Sequence, residues 1–179
     1  NSDFGQRLKV LKIRDTCLDN PGMSGFSKYQ LNMLESLDLS DNSISDLGLE
    51  SLAISKAFPK IKELSLINNH ISDDGIYALS QSDAFCNLES LFLFNNDLTT
   101  DSAISISKSN ILTKLKFLDF NNNDLRAEGA KVLAESKNLK SIQYLDLGEN
   151  NLGPEGAKAL AQSPNMKTLK FLRLNNNNI

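Results

Sequence analysis

The chain is poor in the residues that most soluble chemistry is built from. It has one histidine, two cysteines and four prolines in 179 residues. A lone histidine, His70, leaves no Ser/His/Asp or Cys/His set to assemble. Cys17 and Cys86 have neither metal-ligand nor redox spacing, and no Asn-X-Ser/Thr acceptor occurs despite the many asparagines. A reducing compartment is therefore expected: cytoplasm, or the cytoplasm of a host cell. Net charge is only −3, so no basic field points to nucleic acid or to an anionic membrane. No apolar run is long enough to span a bilayer, and no basic-then-apolar signal opens the chain. The nine glycines form no phosphate-cradling loop. The segment from Asp119, D-F-N-N-N-D, has the texture of a calcium loop, yet lacks its glycine and places Ala130 where glutamate is required. No metal, no cofactor and no catalysis are expected.

What the chain does have is a period. Lines beginning at Leu34, Ile61, Leu88, Leu115, Ile142 and Leu169 stack on one another at a constant spacing of 27 residues: LESLDLSDNSI, IKELSLINNHI, LESLFLFNNDL, LKFLDFNNNDL, IQYLDLGENNL and LKFLRLNNNNI. A degenerate copy, LKVLKIRDTCL, starts at Leu8. Three apolar positions in each line belong to a shared core, which no single copy can bury alone. Asn42, Asn69, Asn96, Asn123, Asn150 and Asn177 form a column. Their amides can satisfy backbone groups where the chain leaves each strand.

The second half of each unit reads as a helix. Ser45 and Ser72 are the expected N-caps, and Pro154 suits a first helical turn. Leu49/Leu52, Ile76/Leu79, Ala130/Leu133 and Ala157/Leu160 make one apolar stripe. Gly48, Gly75, Gly129 and Gly156 precede it where close approach is expected, with Ser102 as the small substitute.

The pattern L-x-x-L-x-L-x-x-N-x-L resembles the leucine-rich repeat. The unit length, the full helix and the phrase G-A-K-x-L-A at Gly129 and Gly156 resemble its ribonuclease-inhibitor-like class. The resemblance implies an α/β solenoid: a right-handed horseshoe arc with about seven parallel strands on the concave side and helices on the convex side. It also implies a non-catalytic module that binds another protein, including an enzyme it inhibits. The Lys-, Asn- and Ser-rich texture resembles leucine-rich-repeat effectors of intracellular bacteria. A ligand-sensing or autoregulatory portion of a larger protein is the alternative.

Residues 1–179 are expected to form a single domain, with 1–33 a degenerate repeat and cap and 34–179 regular units. Residues 1–7 and the loop Asp19 to Gln30 are the expected cap, with a turn at Asn20-Pro21-Gly22 and a first helix that is short or absent. The sequence ends at Ile179 on a strand segment, so a continuation or a covering partner is expected there.

Alternate strand residues face away from the core. In the fourth line, S-L-F-L-F-N-N-D from Ser90, the residues placed there are Phe92 and Phe94, in columns that are otherwise mainly polar. With Ile67, Phe117, Tyr144 and Phe171 they form an apolar-aromatic diagonal beside Asp119, Asp146, Glu149 and Arg173. Stacking of the Phe117/Tyr144/Phe171 column on itself is one explanation for those three. For the rest, the expectation is a partner-binding patch, with aromatic anchors and carboxylates that engage Lys or Arg on the partner. Cys86 is expected to be packed or idle, and His70 a turn residue.

Overall fold

The computed structural model describes residues 5–179. Every 27-residue unit becomes one strand and one helix. The strands are β1 (Val10–Lys12), β2 (Ser36–Asp38), β3 (Glu63–Ser65), β4 (Ser90–Phe92), β5 (Phe117–Asp119), β6 (Tyr144–Asp146) and β7 (Phe171–Arg173). They form one sheet in sequence order, each parallel to its neighbours. The helices are α1 (Asn20–Phe26), α2 (Asp46–Ile54), α3 (Asp73–Gln81), α4 (Thr100–Lys108), α5 (Arg126–Glu135) and α6 (Gly153–Ala161), with a 3-10 turn at Asp83–Phe85.

The strands are three residues long because only the central leucine of each must be held between backbone ladders. Leu37, Leu64, Leu91, Leu118 and Leu145 are in register and fully buried. The second leucine of each line and the helix stripe close over them: Leu39, Leu66, Leu93 and Leu147 from the strand side, Leu49, Leu52, Ile76, Leu79, Ala130 and Leu133 from the helices. Burying one such leucine stabilises by about 1.5–3 kcal/mol. Ala157, expected in the stripe, is half-buried.

The asparagine column is a ladder. Asn69 accepts the N–H of Ile44 (3.0 Å) and donates to the carbonyls of Leu39, Leu66 and Ile67 (3.1 Å each). Asn96, Asn123, Asn150 and Asn177 repeat this with Ile71, Leu98, Leu125 and Leu152. Each amide ties its unit to the one before. A second ladder runs along the helix ends. Ser55, Ser109 and Ser136 donate to the carbonyls of Ser27 (2.7 Å), Ser80 (2.6 Å) and Ser107 (2.9 Å), and Ser82 and Ser163 do the same to Ala53 and Ala134.

Ser45 and Ser72 occupy the expected N-cap positions, but the capping bond is supplied from elsewhere. Neither Ser45 nor Ser72 caps its helix through its side chain. The acceptor comes instead from the preceding unit. Asn20 Oδ1 takes the N–H groups of Ser45 and Gly48 (both 3.0 Å), and Asp46 Oδ1 those of Ser72 (2.8 Å) and Gly75 (3.0 Å). Asp73 Oδ1 takes those of Thr99 and Ser102 (both 3.0 Å). A carboxylate placed this way serves the exposed donors of the next helix and its dipole together. It also explains why Gly48 and Gly75 have no side chain: a Cβ would stand 2.7 Å from Asn20 Oδ1 and 2.5 Å from Asp46 Oδ1. Ser102, in the same place, turns its hydroxyl into a further donor to Asp73.

The first helix exists. Asn20-Pro21-Gly22 opens it, with Asp19 Oδ1 accepting from Gly22 N at 2.9 Å. Phe26 stacks on Phe58 at 5.3 Å. Of the expected cap, residues 1–4 lie outside the described residues; Gln6 meets Asn32 through a 3.0 Å hydrogen bond.

Candidate functional site

Strand residues on either side of the buried leucines form the helix-free face of the sheet. Three columns cross it. The first runs Val10, Ser36, Glu63, Ser90, Phe117, Tyr144, Phe171; the second Lys12, Asp38, Ser65, Phe92, Asp119, Asp146, Arg173. The third, just past the strand ends, holds Arg14, Ser40, Ile67, Phe94, Asn121, Gly148 and Asn175.

In the first column the rings stack. Phe117 and Tyr144 have centroids 5.1 Å apart and planes at 18°; Tyr144 and Phe171 are at 4.5 Å and 1°. Parallel strand spacing imposes this, because equal side chains in register sit one strand apart. The stack remains open on one side, with Phe117 and Phe171 exposed by 41% and 44%. Burial raises the Tyr144 hydroxyl above its ordinary value, with Asp146 adding to the shift.

Phe92 and Phe94 are half-buried and lie outside the core cluster, while Leu91 and Leu93, which alternate with them, are wholly inside it. Among the described residues no ring stacks on either. Phe92 stands in register between Ser65 and Asp119. Ile67 is likewise half-buried.

The carboxylates divide. Asp146 departs from the expectation of a group held for a partner. It is 2% exposed, accepts from Gly148 N (3.0 Å) and Asn121 Nδ2 (3.1 Å), and its cation is Arg173 of the same chain at 3.2 Å. Asp119 and Asp146 are paired across β5 and β6, and the guanidinium one strand over relieves their like-charge contact. Asp119 accepts from Asn121 N at 2.9 Å and enters no ion pair among the described residues. Burial pushes it up to about 6; the Asn121 N–H opposes this, Asp146 adds to it, and Arg173 counters. Glu149 is exposed at the rim, at φ 54°.

That rim was missed in the sequence. Asp15, Asp41, Asn68, Asn95, Asn122, Glu149 and Asn176 all have φ between 51° and 58°, a region asparagine and aspartate tolerate best. Their side chains link outward from Asp41, which receives Asn68 Nδ2 at 2.5 Å; Asn95 donates to Asn68 at 2.9 Å and Asn122 to Asn95 at 2.6 Å. The doubled asparagines at 68–69, 95–96, 122–123 and 176–177 were its signal.

A second surface was also missed. On the helix side, Leu47, Ile54 and Tyr77 are exposed and line a groove of about 740 Å³ between α2 and α3. His70 and both free cysteines are exposed, so Cys86 is not packed. Among the described residues no group of three His, Cys, Asp or Glu is placed to hold a metal ion, and no helix is long and apolar enough to cross a membrane.

Residues 32–78 match the family described as Leucine Rich repeats (2 copies), and residues 112–134 and 138–161 match the family described as Leucine Rich repeat. No curated protein matches the chain. Among solved structures, leiomodin-1 actin-binding site 2 is similar at 22% identity and TM-score 0.55, over 64% of this chain and 70% of that one. An internalin from Listeria monocytogenes is similar at 24% identity and TM-score 0.55, over 92% of this chain and 45% of that one. The present chain thus spans under half the length of the internalin. At such identities the likeness is one of fold, and it agrees with the period, the ladder and the sheet order: the chain is built of leucine-rich repeats stacked as an α/β solenoid.

Proposed function

We propose that the chain is a non-catalytic protein-binding module whose partner docks on the helix-free strand face. The observation that carries this reading is Phe92 with Phe94. Two rings stand half-exposed beside the open Phe117–Tyr144–Phe171 stack, in columns where the earlier units carry Lys12, Asp38 and Ser65 or Arg14, Ser40 and Ile67. Interface centres favour aromatic side chains ringed by polar groups. Side chains carried on paired strands lose little further freedom on binding, so less of the contact energy is spent on ordering them. Leucine-rich repeats generally serve protein recognition, and one structural neighbour is named as an actin-binding site. An enzyme whose site is covered by this face, as an inhibitor or a bacterial effector would cover it, is the finer form of the reading.

The test is capture of a partner by the whole chain, followed by the double substitution Phe92→Ala with Phe94→Ala. Loss of at least about 2 kcal/mol of binding, with the thermal melt retained, is expected. Unchanged affinity in a folded double variant would sink the proposal. The exposed groove at Leu47, Ile54 and Tyr77 favours a second reading, in which the helix side of the repeats packs against another domain of a larger chain. That reading predicts that Ile54→Asp, and not the phenylalanine pair, breaks the contact.

A further inference from the structure

Three aspartates occupy the same strand position: Asp38, Asp119 and Asp146. Each accepts the N–H two residues onward, from Ser40 (3.1 Å), Asn121 (2.9 Å) and Gly148 (3.0 Å). Two of them also have a guanidinium at hand, Arg14 at 3.7 Å from Asp38 and Arg173 at 3.2 Å from Asp146. Asp119 has none; across the strands it faces Phe92 on one side and Asp146 on the other.

Beside it lies an orphan. Asn121 is 7% exposed and its Oδ1 has no hydrogen-bond partner. The amide orientation is fixed by Nδ2, which donates to Asp146 Oδ1 at 3.1 Å and lies over Gly148, where a Cβ would come within 2.6 Å of it. The donor end of the amide is thus spent toward β6, while its oxygen is buried and unmatched. The Asp119 carboxylate, two residues back, accepts the Asn121 N–H. At the seam of β4 and β5, Asp119 has no cation and the neighbouring Asn121 Oδ1 has no donor among the described residues. A buried acceptor without a donor costs about 1–3 kcal/mol, and nothing within the fold repays it.

We infer that this seam receives one arginine side chain of a protein partner, its guanidinium donating to the Asp119 carboxylate, as Arg14 and Arg173 serve Asp38 and Asp146, while its plane lies against Phe92 and Phe117. The inference rests on the strand face being the docking surface. Arginine fits better than lysine because several donors lie in one plane, it sheds water more readily, and its flat face packs on aromatic rings. The burial that raises Asp119 is the condition a cation relieves.

The experiment is an amide NMR titration of the whole chain with a blocked Gly-Arg-Gly peptide to about 10 mM, a range that reveals millimolar binding. The same peptide with citrulline, equal in shape and uncharged, and with lysine serve as comparisons. Expected are saturating shifts of the Asn121 side-chain amide and the neighbouring backbone. Citrulline binds at least about tenfold more weakly, lysine falls between, and Asp119→Asn weakens arginine at least about tenfold. Asp38→Asn leaves it unchanged. No shifts at the seam, equal binding of arginine and citrulline, lysine matching arginine, or indifference to Asp119→Asn each overturns the inference. If a captured partner is lost on substitution of the two phenylalanines but held by Asp119→Asn, the docking face stands and the arginine site falls.

Discussion

The units up to α4 and the units from β5 onward have the same period and the same buried ladder, yet they treat polar groups in opposite ways. In the first set each surplus is met. Asn20, Asp46 and Asp73 supply the next helix with acceptors, Arg14 answers Asp38 and Asp41, and Lys62 answers Glu35 at 2.7 Å. In the second set the corresponding first-turn residues are Ala127 and Pro154, which have nothing to give the next helix. The chain enters α5 and α6 through left-handed residues instead, Arg126 at φ 57° and Gly153 at φ 59°. On the strand face, serine and glutamate yield to the ring stack, and acceptors are left over. The contrast separates units whose helix starts are served from the unit before from units that start their helices through left-handed residues and carry the ring stack.

The sharpest break is at Asp73. Burial alone raises its carboxyl, but hydrogen bonds from Ser102 and Thr99 outweigh this and hold it below its ordinary value. Asp73→Ala removes acceptors for two backbone N–H groups and two hydroxyls. It should cost about 2–3 kcal/mol by denaturant melting, whereas truncating Glu155 in α6 should change little.

Asp119 should behave with the opposite sign. Its folded pKa, about 6, lies above that of the unfolded chain, so the native state binds the extra proton between about pH 4 and 6. Stability from this group is complete below that window and is lost as pH rises through it. Asp73, held low, contributes above the unfolded pKa and is lost on acidification. Asp119→Asn keeps an oxygen for Asn121 N and should stabilise at pH 7.5 by on the order of 2 kcal/mol, an advantage that vanishes near pH 4. A gain that persists at low pH would show that ionisation is not its source.

Tyr144→Ala tests the ring stack by parting Phe117 from Phe171. A loss of about 1–2 kcal/mol is expected, with fluorescence or melting as the readout. The smallest effect is at the rim. Glu149→Asn places a residue suited to φ 54° where the amide row is interrupted, and should add about 0.5–1 kcal/mol in a urea melt.

The stack of lines starting at Leu34 already contained the strand count, the buried leucines and the asparagine ladder, because each depends on spacing within a unit. The serine column at 55, 82, 109, 136 and 163 obeys the same period and was equally visible, though its partner carbonyls were not. Helix capping was misread for a physical reason. Local rules assign a cap to the residue just before the helix, while here the acceptor arrives from one unit upstream, a distance no local pattern encodes.

The sequence by itself determined that these side chains repeat, and therefore which columns they occupy. It did not distinguish Asp119 from Asp146, since both follow a leucine and precede an apolar residue in the same motif. Packing made that decision. Arg173, one strand beyond, neutralises Asp146 and draws it inside, while Phe92, on the other flank, gives Asp119 a wall and no charge. Electrostatic pairing acts across space at a few ångströms, and in a parallel stack the nearest neighbour in space is 27 residues away in the chain.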